Sequence, residues 1–266
     1  MDLGLKGRVA LVCAASQGLG KATATGFAQE GSHVVICSRD KKRLFQTAKE
    51  ISNSAGRQKV TVMPVVADLT KAKDIQHLVS SAMEEFGRID VLVANAGGPP
   101  VGTFPELDDS TWHAGITLTL MSTVRCIREV LPHMQKRKWG RIITITSLTA
   151  KQPVNDLIIS SALRPGILGL SKILASQYGK DGITVNTVAP GYMLTARQEE
   201  VSRTRATKKG ISLEHYMEEL TRDVPLGRSG NPEELAHVIV FLASTKSSYV
   251  NGATISVDGG LIRGLF

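Results

Sequence analysis

The residues best placed to do chemistry stand at the ends of apolar runs. The first run, 9–13, leads into Ala14-Ala15-Ser16-Gln17-Gly18-Leu19-Gly20, and a helical pattern follows. Glycines in such a turn let the backbone approach a phosphate, and a helix amino terminus offers unpaired N–H groups and the positive end of the helix dipole. Gly18-x-Gly20 alone is a weak signal; its place between a strand and a helix makes it a candidate pyrophosphate site. At the end of the second run the chain reads Ile36-Cys37-Ser38-Arg39. An acidic residue there would bind the adenine-ribose hydroxyls and repel a 2′-phosphate, whereas Ser38 followed by Arg39 suits the phosphate. NADP(H) is therefore expected in preference to NAD(H), with Asp40 the residue that argues the other way. Two further strand ends carry polar groups. Asp68, followed by Leu69, can accept from an adenine amino group. Asn95, before Ala96 and Gly97, can either touch the cofactor or tie two strands together through its amide.

Such residues need a frame that gathers strand ends, and the pattern of apolar residues supplies one. Short β-branched runs fall at 9–13, 34–37, 60–66, 91–94, 142–146, 184–188 and 254–257. Amphipathic stretches of helical length lie between them, at 41–52, 74–86, 119–135 and 158–178. Nearly continuous apolar strands alternating with helices imply an α/β fold, a doubly wound parallel sheet of Rossmann type with helices on both faces. The length fits a single domain over 1–266. Gly97-Gly98-Pro99-Pro100 is a loop rather than a linker, because the alternation resumes after it. One segment departs from the pattern. Residues 192–222 are polar and charged, with a helical stretch around 213–220, and a long excursion after a strand end is expected to be a substrate lid.

Composition narrows the classes of function. Apolar content of 42% with 21% charged residues is ordinary for a soluble globular protein. No apolar run approaches the roughly 20 residues that cross a bilayer, and Met1-Asp2-Leu3-Gly4-Leu5-Lys6 lacks a signal-peptide pattern, so no membrane partner and a cytoplasmic setting are expected. Cys13, Cys37 and Cys126 are too widely spaced for a disulfide framework or a metal motif; Cys13 and Cys37 end successive strands and read as neighbouring core thiols. The histidines show no ligand spacing, and no metal is expected. The formal charge of +8 is densest at Arg197, Arg203, Arg205, Lys208 and Lys209. Such a cluster suits an acyl-carrier protein or a coenzyme A phosphate, or is a solvated charged face. No groove-reading motif or aromatic stacking platform accompanies it, so no nucleic-acid partner is expected.

Over essentially its whole length the chain resembles the short-chain dehydrogenases/reductases, particularly the 3-oxoacyl-carrier-protein reductases. The family's Thr-Gly-x-x-x-Gly-x-Gly is met as Cys13-Ala14-x-x-x-Gly18-x-Gly20, its Asn-Ala-Gly as Asn95-Ala96-Gly97 and its Pro-Gly turn as Pro190-Gly191. Its tail is met as Pro225-Leu226-Gly227-Arg228, Asn231-Pro232-Glu233-Glu234 and Val257-Asp258-Gly259-Gly260. The resemblance implies seven strands, a homotetramer or homodimer, Pro190 and Gly191 beside the cofactor, and Thr195 on its nicotinamide side. It also implies Ser147 as the family serine. The family's Tyr-x-x-x-Lys, however, is met by Ser160 and Arg164, and its asparagine by Thr119; no tyrosine occurs between Ser147 and Tyr178.

Ser147, Ser160 and Arg164 are thus the expected catalytic positions, with altered chemistry. A phenol of pKa about 10 can be tuned to serve as acid and base near neutrality, whereas a serine hydroxyl cannot. Arginine keeps its proton and can bind cofactor ribose or stabilise an oxyanion, but does not relay a proton by titrating. Loss of a general acid costs about 10²–10⁴-fold. Two functions follow as expectations. One is an NADP(H)-dependent oxidoreductase acting on a carbonyl or alcohol, including a 3-oxoacyl thioester; the other is a non-catalytic NADP(H)-binding sensor or inert subunit. Tyr192, after the Pro-Gly turn, can swing over the nicotinamide or simply pack on the cofactor. His113 is expected to face a neighbour or solvent. Leu118, Met121, Val124 and Leu131 suit either a helix-pairing interface between subunits or the core.

Overall fold

The computed structural model describes residues 1–265. The strands are β1 (Val9–Val12), β2 (His33–Ser38), β3 (Val62–Val66), β4 (Val91–Ala94), β5 (Gly140–Ile145), β6 (Ile183–Pro190) and β7 (Thr254–Val257). The α-helices are α1 (Gly18–Gln29), α2 (Lys41–Ser54), α3 (Ala72–Phe86), α4 (Asp109–Gly115), α5 (Ser122–Arg137), α6 (Ile158–Tyr178), α7 (Ala196–Lys209), α8 (Leu213–Arg222) and α9 (Pro232–Ala243). The strands form one parallel sheet in the order β3-β2-β1-β4-β5-β6-β7. Chain direction across the sheet reverses between β1 and β4, which opens a crevice at their carboxyl ends, the place where ligands bind in sheets of this kind.

The strand pleat sorts the core into two layers. Ala10, Val12, Val34, Ile36, Val91 and Val93 face Phe27 of α1, Leu44 and Ile51 of α2 and Ile239 of α9. Their neighbours Val9, Leu11, Val35, Leu92 and Ile142 face Ile75 of α3, Val130 of α5 and Ala175 of α6. Both sheet faces are therefore covered, as strands without a polar alternation require. Cys13, Cys37 and Cys126 belong to the second layer, with the Sγ atoms of Cys13 and Cys126 3.8 Å apart. Hydrogen bonding to Cys126, with burial, pushes the Cys13 thiol well above the usual range, and hydrogen bonding to Cys13, with burial, does the same to Cys37, so they are core groups and not nucleophiles.

Several elements differ from the sequence pattern in ways that bear on the site. The helix expected at 119–135 starts earlier: α4 runs through a π-helical turn, Ile116–Met121, into α5. Side-chain periodicity slips across such a turn, which hides the helix start from a 3.6-residue pattern. The apolar face read along it also divides. Leu131 is core and Leu118 borders the nucleotide groove, while Met121 and Val124 remain half-buried. The 192–222 segment holds two helices, α7 and α8, where the sequence pattern marks only the second. Only Ser202 and Ala206 of α7 are buried, so it has no apolar stripe to read. One helix, α6, is long and apolar enough by composition to cross a membrane. It lies along β6 in the covering layer, with Ile159, Ile167 and Ala175 buried, and its first turns carry Ser160 and Arg164.

Candidate active site

A groove of about 480 Å³ runs over the carboxyl ends of the central strands and gathers residues from eight separate stretches of chain. Ala14, Ser16, Gln17, Gly18 and Leu19 line it beside Ser38 and Arg39, Asp68 and Leu69, Asn95, Ala96 and Gly97, and Thr195. Gly20 lies within the turn beneath. A Cβ there would sit 2.4 Å from the Ala14 carbonyl oxygen, so glycine is what lets α1 press against the end of β1. Gly18 has φ +55°, which favours glycine as well. Gln17 occupies the cap position of α1 without a side-chain cap, leaving the first N–H groups of the helix free toward the groove. This is the geometry that a pyrophosphate requires.

The adenine end is more basic than the sequence pattern suggests. Asp40 caps α2, accepting the Arg43 backbone N–H at 3.0 Å, and its carboxylate lies 3.6 Å from Arg43 Nε. The acidic residue that follows Arg39 is thereby turned to the helix and offset. Arg43 reaches back, its Nη1 donating to Gln17 Oε1 at 2.5 Å, so two guanidinium side chains, Arg39 and Arg43, flank this end. Sequence reasoning missed Arg43, which in the chain is only one more basic residue of the 41–52 stretch. Ser16 Oγ donates to Ser38 Oγ at 3.0 Å. Asp68 Oδ1 accepts from the Thr70 N–H and hydroxyl at 3.0 and 2.8 Å. Asn95 donates its amide to the Cys13 carbonyl at 3.3 Å, which makes the tie between β4 and β1.

A second pocket, of about 200 Å³, adjoins the groove, and Ser147, Ser160, Arg164, Pro190, Gly191 and Tyr192 line it. Arg164, Thr146 and Thr195 border both spaces, so the junction is where a nicotinamide and a substrate would meet. Arg164 is only 8% exposed. Its Nε donates to Ser160 Oγ at 3.0 Å and its Nη1 to the Ile145 carbonyl at 3.3 Å. Among the described residues it has no carboxylate partner. Burial lowers its pKa to about 10, which still leaves a cation at neutral pH.

Thr149, which sequence reasoning passed over, organises the hydroxyls. Its Oγ1 is 2.8 Å from Ser160 Oγ, and its N–H donates to Ser147 Oγ at 3.2 Å. It sits in the 3₁₀ turn Leu148–Ala150 that follows β5 and packs on α6. Because an arginine only donates, Ser160 must accept from Arg164, and its own proton is left for Thr149 or for a bound oxygen.

The remaining candidates sort themselves. Tyr192 packs against Leu148, Val224 and Leu261, and burial raises its pKa, which does not suit acid–base work near neutrality. His113 is exposed and bonded to the Asp109 carbonyl. Thr119 is buried in the π-helical turn with its hydroxyl unpartnered among the described residues. The basic cluster is largely paired: Arg197 with Glu200, Arg203 with Glu199, Lys209 with Glu219, and Arg205 with both oxygens of Asp156 at 2.6 and 2.8 Å.

A family model described as Enoyl-(Acyl carrier protein) reductase matches residues 13–262. The chain belongs to the short-chain dehydrogenase/reductase family. Among its relatives in that family is the 3-oxoacyl-[acyl-carrier-protein] reductase FabG of Thermotoga maritima, 34% identical over 97% of this chain and 99% of its own length. The solved L-sorbose reductase of Gluconobacter frateurii, complexed with NADPH and L-sorbose, superposes with a TM-score of 0.94 at 33% identity, covering all of both chains. An actinorhodin polyketide ketoreductase with NADPH gives a TM-score of 0.92 at 32% identity, over 97% of this chain and 98% of that one. This short-chain dehydrogenase/reductase carries Arg164 at the junction, with Ser160 bonded to it on the side of the smaller pocket.

A buried cation with only neutral acceptors is a stability defect. Replacing buried ionic groups by apolar side chains of similar volume is often neutral or stabilising, by up to about 1–4 kcal/mol. Arg164→Met is expected to raise the thermal midpoint of the ligand-free protein by at least about 2 °C, read by differential scanning calorimetry. A lowered midpoint would mean that Arg164 is a structural group.

Proposed function

We propose that the protein is an NADP(H)-dependent oxidoreductase that transfers a hydride between the nicotinamide and a carbonyl or alcohol substrate, with Ser147, Ser160 and Arg164 as the catalytic set. The observation that carries this reading is that Ser147 and Ser160 line the smaller pocket together with Arg164, which also borders the nucleotide groove. The NADPH named with the L-sorbose reductase and the ketoreductase supports the choice of cofactor, as do Arg39 and Arg43 at the adenine end. Ala14, Ser16, Gln17, Gly18, Leu19 and Gly20 would hold the pyrophosphate, Ser38 and Arg39 the 2′-phosphate, Asp68 and Leu69 the adenine, and Asn95, Ala96, Gly97, Pro190, Gly191 and Thr195 the nicotinamide half.

When bound, the reduced nicotinamide supplies the hydride. The chain's own work is electrostatic. Ser147 and Ser160 donate hydrogen bonds to the substrate oxygen, and Arg164, 3.0 Å behind Ser160, favours negative charge developing there. Donors aimed at a developing oxyanion are worth about 10²–10³-fold each, comparable to what loss of a titrating acid removes. The product oxygen takes its proton through the Ser160–Thr149 hydroxyl pair, which hands it on from water. The 192–222 segment acts as the lid. Its helix α7 borders the pocket through Val201 and Arg205, and the Arg205–Asp156 pair ties it to the loop before α6. Substrates in this reading are small carbonyl compounds, 3-oxoacyl thioesters included.

Turnover is tested by NADPH oxidation over ketones and 3-oxoacyl thioesters. With no group titrating near neutrality, kcat/KM is expected to stay level between about pH 6 and 9. Arg164 keeps its charge across that range, so no alkaline limb is expected from it. Binding without turnover on any substrate would favour the inert-subunit alternative, and a bell centred near neutrality would require another acid. Arg39→Ala with Arg43→Ala is expected to weaken NADPH about 10- to 100-fold by fluorescence titration while leaving NADH unchanged. Equal losses for the two cofactors would remove the 2′-phosphate assignment.

A further inference from the structure

The pocket beside the junction is cationic on one side and apolar on the other. Arg164, Arg197 and Arg205 line it, and no aspartate or glutamate does. The three arginines are not equivalent. Arg205 is neutralised by Asp156 in a two-pronged pair. Arg197 contacts Glu200 at 3.3 Å on the exposed side, where the pair is half open to solvent. Arg164 is buried, with only a serine hydroxyl and a backbone carbonyl as partners. Its remaining N–H groups have no acceptor among the described residues. Ribose hydroxyls would satisfy hydrogen bonds but leave the charge uncompensated, and an uncompensated buried cation is costly. A planar carboxylate matches the guanidinium fork and pairs with its charge while leaving the Nε bond to Ser160 in place.

We propose that the substrate carries a carboxylate, and that Arg164, with Arg197 at the mouth, receives it beside the reacting carbonyl; this rests on the reductase reading above. Leu148, Leu157, Met193 and Val201 form the apolar wall. The class is therefore a small oxo acid, or in the reverse direction a hydroxy acid, with a short apolar substituent. The step balances as written: hydride goes to the carbonyl carbon, the C=O π bond becomes an alkoxide that takes one proton from water through Ser160, and NADPH is oxidised to NADP⁺. The carboxylate is unchanged.

The test uses full-length protein saturated with NADPH, so that the phosphate-binding residues are occupied. Isothermal titration with malonate and with malonamide compares an anionic and a neutral probe of like shape, neither of which is reducible by hydride transfer. Malonate is expected to bind at least about tenfold more tightly, as charge-assisted pairing gives, and the preference should shrink with added salt. Arg164→Gln should abolish it and Arg164→Lys should keep part. Equal binding of the two probes by the unaltered protein overturns the proposal, as does a preference that survives in Arg164→Gln. Steady-state reduction of acetoacetate against acetoacetamide separates the two levels. A carboxylate preference in binding without turnover of either keeps the anion site and removes the reductase. Equal turnover of both keeps the reductase and removes the anion site.

Discussion

Desolvation of the Arg164 guanidinium sets the terms for the whole active end of the molecule. The side chain enters from the first turns of α6, where the helix packs against β6 and the 3₁₀ turn after β5, and so loses water without gaining a counter-ion. An unpaired charge in a protein interior is costly. The neighbouring hydroxyls are arranged around that fact. Arg164 fixes the direction of the Ser160 hydroxyl, Thr149 fixes its place, and the same Thr149 holds Ser147 through its backbone. Preorganised donors of this kind need no reorganisation when charge develops beside them.

The sheet makes the arrangement possible by bringing distant residues to one edge. Gly18, Arg39, Asp68, Asn95 and Arg164 are far apart in sequence and share a groove because parallel strands deliver every carboxyl end to the same side. The groove and the pocket then divide the labour. One is shaped by glycine and free helix N–H groups; the other is walled by apolar side chains with arginines at its floor and mouth.

Much of this could be read from the chain because the signals are local. Buried parallel strands appear as continuous apolar runs, and the turn Ser16-Gln17-Gly18-Leu19-Gly20 announces itself by its glycines. Most of the residues picked out in this way line one groove, with Gly20 in the turn beneath it and the Pro190-Gly191 turn lining the adjoining pocket. What stayed hidden is relational. Thr149 is an ordinary threonine until the fold sets it against Ser160. Arg43 becomes part of the adenine end only because Asp40 caps α2 and turns its charge inward. Helix α7 is held by the Thr195 cap and side-chain ion pairs rather than by an apolar face, so periodicity misses it. The π-helical turn at 116–121 leaves no compositional mark. That Arg164 lacks a counter-ion is likewise a property of its surroundings, absent from any short stretch of sequence.

The account stands or falls on whether hydride transfer proceeds without a titrating acid. The direct measurement is the rate of turnover with NADPH deuterated at the transferring position of the nicotinamide, in water and in heavy water, on the best substrate found. An isotope effect from the labelled cofactor with no accompanying solvent effect is the expected result, since the oxyanion would be stabilised by Arg164 and the serines and protonated afterwards. A solvent effect that multiplies with the cofactor effect in the same step would contradict it, because a proton would then be moving in the transition state.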